Sequence, residues 1–113
     1  MPHAVTDDTF DRDVRRLGTP VLVEFWAQWC PPCRMLSPVL AEIERERAGT
    51  LAVRTINADE NPDTARDHHV LALPTMILFR DGEAIRTIVG ARPKARLLAE
   101  VDDALEVGQL SRS

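Results

Sequence analysis

The sequence predicts an α/β fold: one domain with a central mixed sheet of four to five strands, flanked by helices. Three observations predict it. Short runs of β-formers alternate with longer stretches of helical periodicity. The dipeptide Asp81-Gly82 is a hairpin signal between the last two strand-like runs. The length, 113 residues, suits a single domain over 1–113, with a core at about 6–105 and a tail at 106–113.

Taken in order, Ala4-Val5 suggests a short first strand. Thr6 or Asp7 then caps a first helix with Phe10, Val14 and Leu17 on one face, stopped by Gly18. Val21 to Trp26 is an apolar run rich in β-formers and reads as a buried strand. Pro32 to Ala48 carries Met35, Leu36, Val39, Leu40 and Ile43 at helical spacing, with Gly49 as the stop and Pro38 as an internal kink. Leu51 to Asn57 is a second strand, Pro62 to about His68 a short helix, and Thr75 to Phe79 a third strand. Ala84 to Val89 pairs antiparallel with the third, and Gly90 breaks it. From Pro93 a last helix buries Leu97, Leu98, Val101 and Leu105.

Composition narrows the function. The formal net charge of −4 argues against a general binder of nucleic acid or anionic membranes. The longest apolar runs, Val21-Leu22-Val23 and Met76-Ile77-Leu78-Phe79, fall far short of the ~20 residues of a spanning helix. Residues 1–8 do not read as a signal peptide, so a cytoplasmic location is expected, where thiols stay mostly reduced. Two cysteines are too few for a disulfide scaffold.

Those two, Cys30 and Cys33, lie just after the buried strand and at the start of a helix. Residues i and i+3 there can bring their sulfurs within bonding distance without large backbone motion. Unpaired N–H groups and partial positive charge at the helix start favour a thiolate. Cys30 is expected to be the exposed, low-pKa nucleophile and Cys33, inside the first turn, the shielded resolving thiol. Pro31 and Pro32 stiffen the loop, and the helix is expected to start no earlier than Pro32. Half of a metal site with His68 and His69 is the competing reading, but adjacent histidines do not supply the spacing zinc uses. Those histidines read as a solvated helix end, where a partly cationic imidazole suits the dipole.

Glu24 interrupts the otherwise apolar strand Val21 to Trp26. A glutamate leaning out at a sheet edge would be inert. A buried carboxyl would have a raised pKa and could exchange a proton with Cys33, and the apolar setting favours this second reading. Trp26 and Trp29 flank the pair. Trp26 suits core packing, whereas Trp29 can shield the cysteine and offer an apolar face to a partner. Pro74 opens the third strand. The general rarity of cis prolines favours an ordinary strand-entry proline there, and a cis proline leaving Leu73 free to pair with an incoming peptide is the alternative.

The ordered set of Phe25 to Met35 around Trp29-Cys30-Pro31-Pro32-Cys33, Pro38, Asn57 to Pro62, Leu73-Pro74-Thr75, Asp81-Gly82-Glu83 and Val89-Gly90-Ala91 resembles the thioredoxin family, over nearly the whole chain. The resemblance implies a thioredoxin fold and a protein-disulfide reductase that needs no bound cofactor or metal beyond the redox-active Cys30–Cys33 disulfide. Cys30 would attack a partner's disulfide and Cys33 would resolve the mixed disulfide. Trp29, Pro31, Pro32, Leu73, Pro74, Thr75, Gly90 and Ala91 would form the surface that accepts the partner. Thioredoxin reductase and disulfide-containing target proteins are the implied partners, with the chain acting as a monomer.

Three departures from the family pattern stand out. Pro31-Pro32 replaces the usual Gly-Pro, Glu24 stands where the family has a buried aspartate, and Thr55 replaces the lysine that accompanies that acid. Arg54 points to the opposite strand face and is a poor substitute. The Trp-Cys-Pro-Pro-Cys segment also resembles envelope thiol–disulfide proteins, which are less reducing. A binding module with incidental cysteines is the non-enzymatic rival.

Overall fold

The computed structural model describes residues 2–110. Five strands form one sheet: β1 (His3–Ala4), β2 (Val21–Trp26), β3 (Ala52–Asn57), β4 (Thr75–Arg80) and β5 (Glu83–Val89), in the spatial order β1-β3-β2-β4-β5. β3 runs parallel to β1 and β2, whereas β4 is antiparallel to β2 and to β5. The sheet is therefore mixed, as expected. Helix α1 (Pro31–Glu46) crosses from β2 to β3, α2 (Pro62–Asp67) precedes β4, and α3 (Lys94–Leu110) closes the chain.

Alternation along the strands sorts the core into two layers. Leu22, Val53, Met76, Leu78 and Ile88 face α1 and α3, meeting Leu36, Leu40, Ile43, Leu97 and Val101. Val21, Val23, Phe25, Ile56, Ile77 and Phe79 face the other side, against Phe10, Val14 and Ala65. Each of the buried Val, Leu, Ile, Phe and Met side chains among them contributes ~1.5–3 kcal/mol relative to exposure. β2 is central, with both neighbours paired and its first five residues fully buried.

The boundaries depart from expectation in informative ways. The first strand is His3–Ala4, one residue early, and Val5 instead donates its N–H to the Thr55 carbonyl at 2.8 Å. The expected first helix is a single π-helical turn, Asp11–Arg15, which buries Phe10 and Val14 but leaves Leu17 exposed. Helix α1 begins at Pro31, because Cys30 takes the extended cap conformation and the two prolines fill positions whose N–H groups would be unpaired anyway. It ends at Glu46, with Gly49 in the turn beyond at φ +88°. Cys33, Leu36, Leu40 and Ile43 define its buried stripe, which puts Met35 on the solvent side, 76% exposed. Leu97 and Val101 of α3 are buried, while Leu98 and Leu105 are partly so. α3 runs on to Leu110, through part of the expected tail; residues 111–113 lie outside the described residues. Asp81 and Gly82 both have positive φ, +55° and +84°, as the two-residue hairpin turn requires.

Asp7 caps a different helix from the one the sequence suggests. Its carboxylate accepts the Thr64 N–H at 2.9 Å, the Thr64 hydroxyl at 2.6 Å and the Asp63 N–H at 3.3 Å, all in the first turn of α2. Burial opposes its ionisation, but these hydrogen bonds outweigh that and hold the carboxyl below the usual carboxylate range. Its contribution is therefore present above the unfolded pKa and lost as pH falls through the folded one. Asp7→Ala is expected to lower unfolding free energy by ~1–2 kcal/mol at neutral pH. Urea titration checks this, and an unchanged midpoint would show the cap to be inert.

Candidate functional site

β2 ends at Trp26, and three residues carry the chain to Cys30 at the cap of α1. The Cys30 N–H reaches back to the Ala27 carbonyl at 3.1 Å, which holds the loop tight. Cys30 and Cys33 are joined in a disulfide, with Cα atoms 5.4 Å apart. The Cys33 N–H donates to Cys30 Sγ at 3.3 Å. The same N–H also donates to the Cys30 carbonyl at 3.1 Å, so the helix start offers Cys30 sulfur a shared hydrogen bond and partial positive charge.

The expected difference in exposure between the two cysteines is not found. Both are 2% exposed in the disulfide form. The bond ties Cys30 back against the helix, so the outer position in sequence confers no access by itself. What distinguishes the sulfurs is their surroundings. Cys30 caps the helix from outside, whereas Cys33 lies in its first turn and lines a cavity of about 50 Å³ with Glu24, Trp26, Arg34, Ser37 and Thr55.

Glu24 is 1% exposed, in register between Thr55 on β3 and Met76 on β4. Its Oε2 has no hydrogen-bond partner among the described residues. Burial without compensation pushes its pKa up from 4.5 to about 8. The reading of Glu24 as buried rather than leaning out at a sheet edge agrees with this geometry. Arg54 lies on the other face, where its Nε donates to the Asp13 carbonyl at 3.2 Å, so it cannot neutralise Glu24.

Around the disulfide, Trp29 is 65% exposed, and Pro31, Pro32 and Ala91 are exposed. Leu73 and Gly90 are half-buried, while Pro74 and Thr75 are buried. The Leu73–Pro74 peptide is cis, the alternative to the plain strand-entry reading. The Pro74 carbonyl accepts the Gly90 N–H at 2.8 Å, which fastens these two loops together. The Thr75 hydroxyl donates to the Ala72 carbonyl at 2.6 Å, so it is spent inside the loop.

Two shallow grooves border the site. One, about 410 Å³, runs from Trp29 past Ala58 and Pro62 to Val70 and Leu73. The other, about 300 Å³, lies between Met35 and Val39 on one side and Ala91 to Pro93 on the other. Sequence reasoning gave no role to Asp59, whose carboxylate accepts the Trp29 Nε1–H at 2.7 Å and fixes the exposed indole. Its signal was faint: an acid at a strand end is common, and only the fold brings it to Trp29.

His68 is not the solvated, cationic helix end that its sequence position suggests. It is half-buried against Phe10, Phe25 and Phe79, with ring centroids 5.5, 6.4 and 5.2 Å away. Burial, with Arg15 nearby, lowers its pKa. No cluster of three or more His, Cys, Asp or Glu suited to a metal occurs among the described residues.

The thioredoxin family model matches residues 1–103. The chain belongs to the thioredoxin family. It is 55% identical over 104 residues to a thioredoxin of Mycolicibacterium smegmatis, covering 90% of this chain and 93% of that one. It is 44% identical over 102 residues to thioredoxin 1 of Synechococcus elongatus, covering 90% and 95%. It is also 48% identical over 101 residues to the bifunctional thioredoxin reductase/thioredoxin of Mycobacterium leprae, covering 89% of this chain and 22% of that one. With its Cys30–Cys33 pair, the protein is a thioredoxin-family protein-disulfide oxidoreductase.

The raised Glu24 pKa carries a stability consequence. The folded state holds this proton between pH 4.5 and about 8, while the unfolded state has released it. Stability therefore falls as pH rises through that window, by about 3 kcal/mol at pH 7. Glu24→Gln is expected to remove the decline and make the oxidised protein more stable at pH 7, with little change at pH 4. Denaturant titrations across pH check this; parallel stability curves for the two proteins would refute it.

Proposed function

We propose that the chain reduces protein disulfides, with Cys30 as attacking thiol, Cys33 as resolving thiol and Glu24 as the group that takes the Cys33 proton. The observation that carries this reading is the shared cavity of Cys33 and Glu24 behind a disulfide closed across the helix start.

In the reduced protein the Cys30 thiolate attacks one sulfur of the partner's disulfide, and the partner's other sulfur leaves as a thiolate. Cys33 then gives its proton to the Glu24 carboxylate and attacks Cys30 Sγ. The second partner sulfur departs as a thiolate, both departing sulfurs are protonated by solvent, and the Cys30–Cys33 bond closes. Two electrons pass from the pair to the partner. A carboxyl poised near neutrality suits this exchange, because it is protonated and deprotonated at comparable cost. The cysteine pair is the whole redox centre, with no bound cofactor.

Trp29, Pro31, Pro32, Leu73, Pro74, Thr75, Gly90 and Ala91 form the partner-accepting surface. Neither the N–H nor the carbonyl of Leu73 has a hydrogen-bond partner among the described residues, so both are free for an extended peptide. Thioredoxin reductase restores the dithiol in the cytoplasm. Support for that partner comes from the Mycobacterium leprae relative, whose name joins the two activities in one chain.

Equilibration with a thiol/disulfide buffer, followed by Trp29 fluorescence and thiol alkylation, tests the direction. A potential near or below about −270 mV is expected, and a value between about −180 and −120 mV would overturn the reductant reading in favour of an oxidant or isomerase. Cys33→Ser is expected to accumulate a mixed disulfide with a disulfide substrate, and Cys30→Ser to form none. Non-reducing electrophoresis with mass spectrometry reads both.

A further inference from the structure

The loop that carries Gly90 and Ala91 is tied to the sheet by little backbone. β5 is an edge strand, and its last residue, Val89, lies opposite Thr75 on β4. One step on, the Gly90 N–H donates to the Pro74 carbonyl at 2.8 Å. In an antiparallel ladder such a pair exchanges two bonds. Here the second cannot form, because Pro74 has no N–H to give to the Gly90 carbonyl. The chain then leaves the sheet at Gly90, whose φ is +90°. No backbone hydrogen bond engages Ala91 or Arg92 among the described residues. The next backbone anchor is the Pro93 carbonyl, which accepts the Leu97 N–H at 3.0 Å as α3 begins.

The Arg92 side chain supplies what the backbone does not. It turns back along the loop, where Nη1 donates to the Val89 carbonyl at 2.9 Å. Its Nε donates to Glu100 Oε2 on α3 at 3.1 Å. Val89 falls at a ladder position whose carbonyl points away from β4, so Arg92 takes an acceptor that the sheet leaves unused. The guanidinium also packs against Gly90, since a β-carbon there would meet Nη1 at 3.5 Å. The Arg92 and Glu100 side chains are 27% and 30% exposed. An ion pair so near solvent adds little to stability. Its geometry says more. The planar fork of an arginine engages two acceptors at once, and here it joins the end of β5 to the second turn of α3.

We infer that Arg92 is a positioning residue for partner binding: braced by Glu100, it holds the Val89–Ala91 loop where Gly90 and Ala91 meet a protein substrate. This rests on the reading of Gly90 and Ala91 as part of the partner-accepting surface. Without the brace, the loop after the Gly90–Pro74 bond is free to move, and a protein substrate must order it on binding. That cost falls on KM, because the cysteine chemistry lies elsewhere. A small disulfide that reaches only Cys30 does not meet the loop.

Insulin reduction, with dithiothreitol as the regenerating thiol so that no reductase takes part, tests this. Arg92→Ala is expected to raise KM for insulin about three- to tenfold with kcat unchanged, and to leave the rate with a small aromatic disulfide as it was. Glu100→Gln, which keeps Arg92 in place, is expected to raise KM about two- to threefold and to add nothing in the Arg92→Ala background. Ala91→Asp probes the surface itself and is expected to raise the same KM. An unchanged KM in Arg92→Ala, with a raised one in Ala91→Asp, would overturn the positioning role and leave the surface reading intact. No effect of Ala91→Asp would remove the surface reading, and the inference with it. Equal slowing of insulin and the small disulfide by Arg92→Ala would overturn the inference in favour of a general disturbance of the fold. Additive effects of Arg92→Ala and Glu100→Gln would refute the brace through Glu100.

Discussion

Complete burial of β2 is the constraint on which the rest depends. The strand is hydrogen-bonded on both edges, to β3 and β4, and covered on both faces by apolar layers. This fixes its end rigidly, so the short loop from Ala27 sets Cys30 at the cap of α1 with little freedom. It also gives Glu24 no way out. A carboxyl in the middle of such a strand must either find a partner or resist ionisation, and with Thr55 as neighbour it does the second, its pKa raised to about 8. The same burial that positions the disulfide therefore keeps a proton behind it, at a cost in stability at neutral pH. A strand optimised for stability alone would carry a valine there.

Much of this is legible in the sequence. The five strands and three main helices follow from β-former runs, helical spacing and the Asp81-Gly82 turn, because those signals are local. The errors arise where tertiary contacts decide. Asp7 looks like a cap for the helix that follows it, but α2 comes close enough in space to claim its carboxylate. Met35 matches a helical apolar pattern, yet the stripe through Cys33, Leu36, Leu40 and Ile43 leaves it outside. His68 reads as polar punctuation at a helix end, and three phenylalanines distant in sequence enclose it.

The site was legible in part for the same reason. Cys30 and Cys33 announce themselves by spacing and by their place between strand and helix. Glu24 does so by breaking an apolar run. Asp59 carries no such mark, since acids such as the pair Asp59-Glu60 are ordinary just after a strand. Its importance is a matter of what sits opposite, the Trp29 indole.

The asymmetry of the two cysteines needs a different explanation from the one their order suggests. Exposure does not separate them, at 2% each in the disulfide. Local electrostatics does. Cys30 sulfur receives an N–H from the helix start, which stabilises negative charge as soon as the disulfide opens. Cys33 faces a cavity shared with a carboxyl that burial keeps near the midpoint of its titration at neutral to mildly alkaline pH. One sulfur is thus prepared to be an anion, and the other to be a thiol that gives up its proton on demand. A nucleophile that stays ionised begins the exchange, while a thiol that ionises only when its acceptor is free completes it. The division of labour follows from where the helix begins and where the buried acid lies, and both are set by β2.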